Sequence, residues 1–530
     1  MFGEYNIFVK DLRNIDIKFG LIYPNIYSVG MSSYSIRFLY SYLNSFENIA
    51  CERIFFPPKI KYPASKDYHS IDIIRSLENH LLPRDFDILG FSIQFENDFR
   101  NILWILEKSG IPLSRTERYE KSQHDKFYNP LIIGGGPVAT SNPLPLSKIF
   151  DIFFIGDAEP NLDAFLQYFM DFKFETQNIN ELYKNLVKVN GIYIPHLKNE
   201  AKRVYVKDLD ESLIPIYQIM AKEKDSAAGF QNTYFVEINR GCPYQCKFCI
   251  SSFHNQPFRN RSFTQIKQAL MEAVSELEVK KVSLIGSCIS SHPHFLEICD
   301  YIIKLKKNLS IPSIRIDHIT SETIDILERG NIKTITIAPE SGSEKLRFEL
   351  GKRITDDQFF NIVLKIRDSE ISNIKMYFLV GLPNESENEI MDTVNFIKKI
   401  ETFGFNKDSI RININPLIPK LNTPYEKKVE YYFENTLSTL NEKLAKIKHE
   451  LKDLFSVKLK IKDTNKIVKN ARLQTLFSLG DDKVSDLLLE YYNYGANFGA
   501  LRRAEKIMNF SINDYFLKIQ NCFNPWTFSK

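Results

Sequence analysis

Short apolar runs alternate with stretches of helical periodicity through the first third of the chain. Phe19–Tyr23 is a candidate strand, followed by Gly30 and an apolar-periodic stretch from Ile36 to Leu43. Asp87–Ile93 (DILGFSI) has the unbroken apolar character of a strand buried on both faces, and Asn101–Lys108 has helical spacing. Leu131–Ile133 runs into Gly134-Gly135-Gly136-Pro137, and Ile152–Ile155 runs into Gly156-Asp157-Ala158-Glu159. Strand, glycine turn and helix in repetition predict an α/β fold, a doubly wound parallel sheet. The ligand crevice of such a sheet lies outside the carboxyl ends of its strands, where these glycines fall.

Asn185–Val206 predicts a small β-rich appendage or linker. The polar stretch Ala221–Asn232 separates it from the next strand, and the main domain boundary is expected there. The alternation then resumes with longer helices up to about Tyr425. Candidate strands are Tyr234–Ile238, Lys281–Ile285, Ser313–Ile316, Thr334–Ile337, Lys375–Val380 and Ile410–Ile414, with amphipathic helices such as Phe263–Leu277, His294–Lys306 and Glu387–Ile400 between them. This βα array predicts a full or partial barrel with its chemistry at the carboxyl ends of the strands. The remainder is largely helical in pattern. The expected division is therefore 1–184, 185–232, 233–425 and 426–530.

Length and charge narrow the class. The chain has 530 residues, with 44% hydrophobic and 25% charged positions, so disorder is excluded as the main state. Its 69 Lys+Arg against 65 Asp+Glu give a net charge of +4, too little for a bulk pull toward nucleic acid or membrane. No apolar run reaches the ~18 residues of a membrane-spanning helix, and Glu4 and Asp11 interrupt any signal-peptide pattern, so a cytoplasmic location without membrane partners is expected. Seven cysteines, unevenly placed, do not make a disulfide framework.

Three of those cysteines form one cluster. Val236-Glu237-Ile238-Asn239-Arg240-Gly241-Cys242-Pro243-Tyr244-Gln245-Cys246-Lys247-Phe248-Cys249 places C-x3-C-x2-C just after the first strand of the second array. Three thiolates from one loop can ligate three irons of a cubane and leave the fourth open to a chelating small molecule. The amino and carboxylate groups of S-adenosylmethionine (SAM) suit that vacancy. The alternative is a tetrahedral zinc site completed by His254 or Cys288 in a module that only binds a partner. Zinc knuckles normally bring their ligands as two pairs, which this triplet does not.

The segment resembles the radical SAM superfamily. The resemblance rests on Cys242, Cys246 and Cys249 with aromatic Phe248 before the third cysteine. It is reinforced in order by Ile285-Gly286-Ser287, Ala338-Pro339-Glu340-Ser341-Gly342, Tyr377-Phe378-Leu379-Val380-Gly381-Leu382-Pro383 and Asn415-Pro416-Leu417-Ile418-Pro419-Lys420. It implies a partial (β/α)6 barrel with a 4Fe-4S cluster on the three cysteines, and SAM cleaved to a 5′-deoxyadenosyl radical. A low-potential reductant such as ferredoxin or flavodoxin is implied as electron donor. Gly286 and Ser287 would meet the SAM amino group, though the usual carboxylate there is replaced by Cys288. Glu340 and Ser341 would lie near the ribose, and Gly381 beside the adenine. Their plain alternatives are a helix cap at 340–343 and a simple turn at Gly381-Leu382-Pro383. The substrate, whether small molecule, peptide or RNA, has no short signature.

The first domain is similar to the cobalamin-binding-type Rossmann domain that often precedes this barrel. Gly134, Gly135, Gly136 and Pro137, then Asn142-Pro143 and Gly156-Asp157-Ala158-Glu159, carry that similarity, as do Tyr23–Ser33, Glu52–Phe55 and Leu89–Ser92. It implies cobalamin as a candidate cofactor and methyl transfer as a candidate reaction. The Asp-x-His-x-x-Gly segment that gives cobalt a histidine is absent, and the glycine turns alternatively only close a packed α/β domain. Between Asn441 and Arg472, ten Lys/Arg face four Asp/Glu. That excess suits either a basic face for RNA, as in a tRNA-modifying enzyme, or an ordinary solvated helix face.

Overall fold

The computed structural model describes residues 3–58, 74–124, 130–222 and 230–528. The chain divides into two compact units. One comprises 1–232, 476–512 and 524–530; the other comprises 233–475 and 513–523. Most of the polar stretch Ala221–Asn232, namely 223–229, lies outside the described residues.

In the first unit, six strands form one sheet: β1 (Ile17–Tyr23), β2 (Ile49–Phe55), β3 (Ile88–Ser92), β4 (Leu131–Gly135), β5 (Ile152–Phe154) and β6 (Ile192–Tyr193), in the order β2-β1-β3-β4-β5-β6. The first five run parallel, and β6 joins β5 antiparallel. Helices α1 (Tyr34–Asn44), α2 (Phe99–Lys108) and α3 (Glu159–Asp171) belong to this unit. The apolar runs are strands because both sheet faces are covered. Every residue of β3 is buried, and α2 buries Ile102, Leu103, Trp104, Ile105 and Leu106. The strand order reverses direction between β1 and β3, which makes the carboxyl edge there the topological switch point.

In the second unit, β7 (Thr233–Glu237), β8 (Lys281–Ile285) and β9 (Asn308–Ser310) form a three-stranded parallel sheet. A four-stranded parallel sheet follows, β10 (Thr334–Glu340), β11 (Asn373–Val380), β12 (Ile410–Pro416) and β13 (Val457–Leu459). Helices α4 (Phe263–Glu276), α5 (Phe295–Lys304), α6 (Ser321–Arg329), α7 (Glu344–Leu350), α8 (Asp356–Arg367) and α9 (Glu387–Glu401) alternate with the strands. Their starts are chemically marked. Thr355 and Gln358 cap α8 reciprocally, and Ser386 accepts from Asn388 N at 3.1 Å to open α9.

The third strand lies earlier than the expected Ser313–Ile316. Pro312 has no N–H to donate, so pairing with β8 ends at Ser310. Residues 316–318 form a 3-10 turn, and Ile314 N donates to Thr336 O at 3.0 Å. The seventh strand, β13, was not anticipated.

The stretch 426–530 contributes to both units. Its helix α10 (Leu437–Leu451) does not present all its lysines to solvent. Lys443 is buried against Glu385 at 3.0 Å, Lys446 pairs with Glu387, and Lys448 donates to Lys462 O at 2.7 Å. Among the described residues, no helix is long and apolar enough to cross a membrane.

Candidate functional site

Strand β7 delivers the chain to Asn239–Arg240, which pairs antiparallel with Arg259–Asn260. Gly241 then takes φ 78, and a Cβ there would stand 2.4 Å from Asn255 O, so the chain can turn into the cysteine loop only through glycine. The loop is fastened at several points. Gln256 Nε2 donates to Cys242 O at 2.6 Å, Lys247 N to Leu350 O at 3.0 Å and Cys249 N to Cys246 O at 3.0 Å. Phe248 packs on an apolar cluster of Leu346, Leu350, Leu382, Leu417 and Tyr425, which seats the loop by the carboxyl ends of β11 and β12.

All three thiols are free. Cys242 and Cys246 are buried and Cys249 is half-buried. A hydrogen bond with Cys288, then burial, pushes the Cys242 thiol up. Burial pushes Cys246 up, against the pull of Lys352 and Arg315. Among the described residues, no three His, Cys, Asp or Glu side chains converge tightly enough for a single metal ion. A cubane puts each thiolate on a different iron and asks for no such convergence. The donor set of three free sulfurs in one pinned loop, with cations felt at Cys246, fits a cluster. His254 is turned elsewhere, its Nε2 2.8 Å from Leu421 O, whereas Cys288 meets both the Cys242 thiol and Ser291 Oγ, the latter at 3.1 Å.

Gly286 follows β8, and a Cβ there would lie 2.2 Å from Asn239 Oδ1. Asn239 is 1% exposed and donates from Nδ2 to Cys288 O at 2.9 Å, so 286–288 is strapped to the residue preceding the cysteine loop. Ser287 is exposed between them. Glu340 ends β10 with φ 67 and pairs with Lys352 at 2.7 Å; Lys352 also donates to Ala338 O at 2.5 Å. Ser341 is buried and accepts from Ser343 N at 3.1 Å through Oγ. Ser343 is the N-cap of α7 but makes no side-chain cap bond, and Glu340 is an ion-pair member and not a cap.

Gly381 has φ 75 and donates to Glu385 Oε2 at 2.8 Å. Glu385 in turn holds Lys443, whose ammonium also reaches Tyr431 OH at 2.8 Å. Burial pushes the Glu385 carboxyl up, with Lys443 opposing.

The second unit therefore brings Cys242 to Cys288, and Cys246 within electrostatic reach of Glu340, Lys352 and Arg315. Sequence reasoning missed Asn239, Lys352 and Arg315. Asn239 lies three residues before Cys242, and Lys352 follows a helix-ending glycine with φ 92, the two weak signals available.

Gly134, Gly135 and Gly136 belong to the first unit. A Cβ on Gly134 would lie 2.9 Å from the Phe153 ring, and one on Gly136 would lie 2.8 Å from Ile93 O. A Cβ on Gly135 would meet only Phe154 Cβ, at an ordinary 3.7 Å, so the close packing uses the smallness of Gly134 and Gly136. The neighbouring carboxyl edge carries Ser92, bonded to Ser35 Oγ at 3.0 Å and to Gln94 Nε2 at 3.1 Å, with Phe95 54% exposed beside them. That edge fits a ligand recognised through hydroxyl, amide and ring contacts, not through a histidine on a metal.

Two family models match the chain. One, described as the N-terminal part of radical SAM proteins, matches residues 35–195; the other, the radical SAM superfamily, matches residues 236–397. The chain is a radical SAM protein. It is accordingly an enzyme of the radical SAM class, which works with a 4Fe-4S cluster and SAM.

An uncharacterized protein of Methanocaldococcus jannaschii is 27% identical over 94% of this chain and 95% of its own length. An uncharacterized methyltransferase of Pyrococcus horikoshii is 25% identical over 39% of this chain and 45% of its own length. In fold, the radical SAM protein resembles a solved structure of TsrM, a radical SAM methyltransferase from Kitasatospora setae with cobalamin and a 4Fe-4S cluster bound. The TM-score is 0.53 at 12% identity, covering 93% of this chain and 98% of that one.

Proposed function

We propose that this radical SAM enzyme holds its cluster on Cys242, Cys246 and Cys249, cleaves SAM reductively and transfers a methyl group to its substrate, with cobalamin at the carboxyl edge of the first unit's sheet. The observation that carries the reading is the loop of three free thiols placed after the first strand of the second unit. When bound, the cluster supplies the electron that breaks a C–S bond of SAM and yields a 5′-deoxyadenosyl radical.

The chain's own residues do the rest. Phe248 anchors the loop on its apolar cluster, and Asn239 holds the 286–288 backbone beside Cys242. That backbone offers carbonyl groups to an ammonium where the family's carboxylate is absent. Lys352 and Glu340 place opposite charges near Cys246, suited to the carboxylate and ribose hydroxyls of a SAM molecule. The methyl-transfer part of the reading is supported by the fold likeness to TsrM and by the partial match to a methyltransferase.

Anaerobic reconstitution tests it. Iron, sulfide and 5′-deoxyadenosine release with dithionite and SAM are expected for the native protein, and Cys246→Ala should lose all three with its fold retained. Unchanged release by that variant would refute the cluster assignment. Cobalt absorbance after incubation with hydroxocobalamin tests the corrinoid part separately.

A further inference from the structure

Tyr244 lies inside the cysteine loop, midway between Cys242 and Cys246. Its side chain is held on two sides. The Arg315 guanidinium lies 3.4 Å from the ring centroid, well inside the ~6 Å over which a cation and an aromatic face attract. Its hydroxyl meets Nε2 of His318, whose Nδ1 faces Ser290 Oγ at 3.0 Å.

Arg315 is aimed as well as seated. Asp317 accepts from its Nε at 3.0 Å and its Nη2 at 2.8 Å, a paired contact that fixes the plane of the guanidinium. The Arg315 side chain is 18% exposed against 33% for Asp317, so the cation is the inner member of the pair. Its charge is felt at Cys246 and Cys288 as well as at Tyr244. An arginine does not lose its proton in a protein, so this charge is permanent. Lys352, the other cation felt at Cys246, has its charge balanced by buried Glu340.

We infer that Arg315 is a positioning residue for electron uptake: seated on Tyr244, it holds a fixed positive charge beside the cysteine loop and raises the reduction potential of the cluster that the loop carries. This rests on the cluster assignment proposed above. One-electron reduction, by dithionite or by a low-potential carrier protein, adds a negative charge to the cluster. A neighbouring cation stabilises that reduced state more than the oxidised one. With Asp317 and partial exposure weakening the field, removing the cation is expected to change the reduction equilibrium about tenfold, which is 59 mV for a one-electron couple.

The test is a potentiometric titration of the anaerobically reconstituted full chain, followed by the paramagnetic resonance of the reduced cluster. Arg315→Met should titrate about tenfold harder to reduce than the native protein, and Arg315→Lys should keep most of the native potential. Tyr244→Leu, which removes the seat, should shift in the direction of Arg315→Met, whereas Tyr244→Phe, which keeps the ring, should not. Arg315→Met with full iron and sulfide content and an unchanged midpoint overturns the inference. Where Arg315→Met binds no iron, coincident midpoints for native, Arg315→Lys and Tyr244→Leu overturn it equally. A native protein without iron or sulfide would instead defeat the cluster assignment, and the inference with it.

Discussion

Glu340 and Lys352 meet at 2.7 Å across the end of β10, with Glu340 held at φ 67. A non-glycine residue in the left-handed region costs about 1–3 kcal/mol and persists only where its surroundings hold it. Here the ammonium of Lys352 does so. Removing it leaves a carboxylate in a site that is 10% exposed. Lys352→Met is expected to cost about 3–5 kcal/mol, the penalty for breaking a buried pair from one side, and Glu340→Gln less. Urea unfolding of the two variants checks the order, and the same protein should bind SAM more weakly by calorimetry.

The contact between Gly286 and Asn239 carries a second expectation. A methyl group at 286 would meet Asn239 Oδ1 at 2.2 Å and displace the amide that holds Cys288 O. Gly286→Ala should destabilise the protein by about 1–3 kcal/mol, the usual range for forcing an extra carbon into a packed site. Iron content is expected to remain near native while 5′-deoxyadenosine release falls at least tenfold. Full activity with native iron would dissociate 286–288 from SAM.

Cys288 and His254 make a paired control. Both were candidate fourth ligands of a zinc site; His254 is bonded to Leu421 O, while Cys288 is shared between Ser291 Oγ and the Cys242 thiol. Cys288→Ser and His254→Gln should each retain the native iron-to-protein ratio. Loss of metal from either one would return it to the ligand set.

Asp98, at the start of α2, is 5% exposed, and burial pushes its carboxyl up from 3.8 to about 7 although Asn25 donates to it at 2.8 Å. A raised carboxyl binds its proton more tightly in the folded state. Its stabilising contribution is therefore complete below pH 3.8 and is lost as the pH rises through about 7. Asp98→Asn should be more stable than the native protein at pH 8 by about 2–4 kcal/mol, from 1.36 kcal/mol per unit. The advantage should shrink toward pH 4. A difference in unfolding free energy that is flat across this interval refutes it.

In the first unit, the strands near glycines were legible because they are buried on both faces, whereas Ile49–Phe55, with Glu52 and Arg53 at its centre, was not read as a strand. Ile88–Ser92 and Leu131–Gly135 differ from their expected bounds by a residue or two. In the second unit, Ser313–Ile316 had strand composition, but Pro312 halts the ladder before it. Val457–Leu459 escaped because three residues with a central lysine give no measurable alternation, and β12 alone makes them a strand.

The cysteine triplet was visible because its spacing is local. Arg315 and Lys352 were not, since each acquires its meaning from a residue distant in sequence, Tyr244 or Glu340, and an isolated basic residue in a helix-rich stretch reads as surface.

The path of the last hundred residues bears on synthesis. Thr475 closes the chain's long stay in the second unit; 476–512 returns to the first, 513–523 crosses back, and 524–530 ends in the first again. Trp526 is only 6% exposed, donates to Thr140 O at 3.3 Å and stacks edge-on against Tyr193 at 4.7 Å. A nascent chain therefore holds all six strands of its amino-terminal sheet by residue 232, but not yet the late segments that complete that unit. A fragment cut at Asn232 would expose the surfaces that these late segments cover.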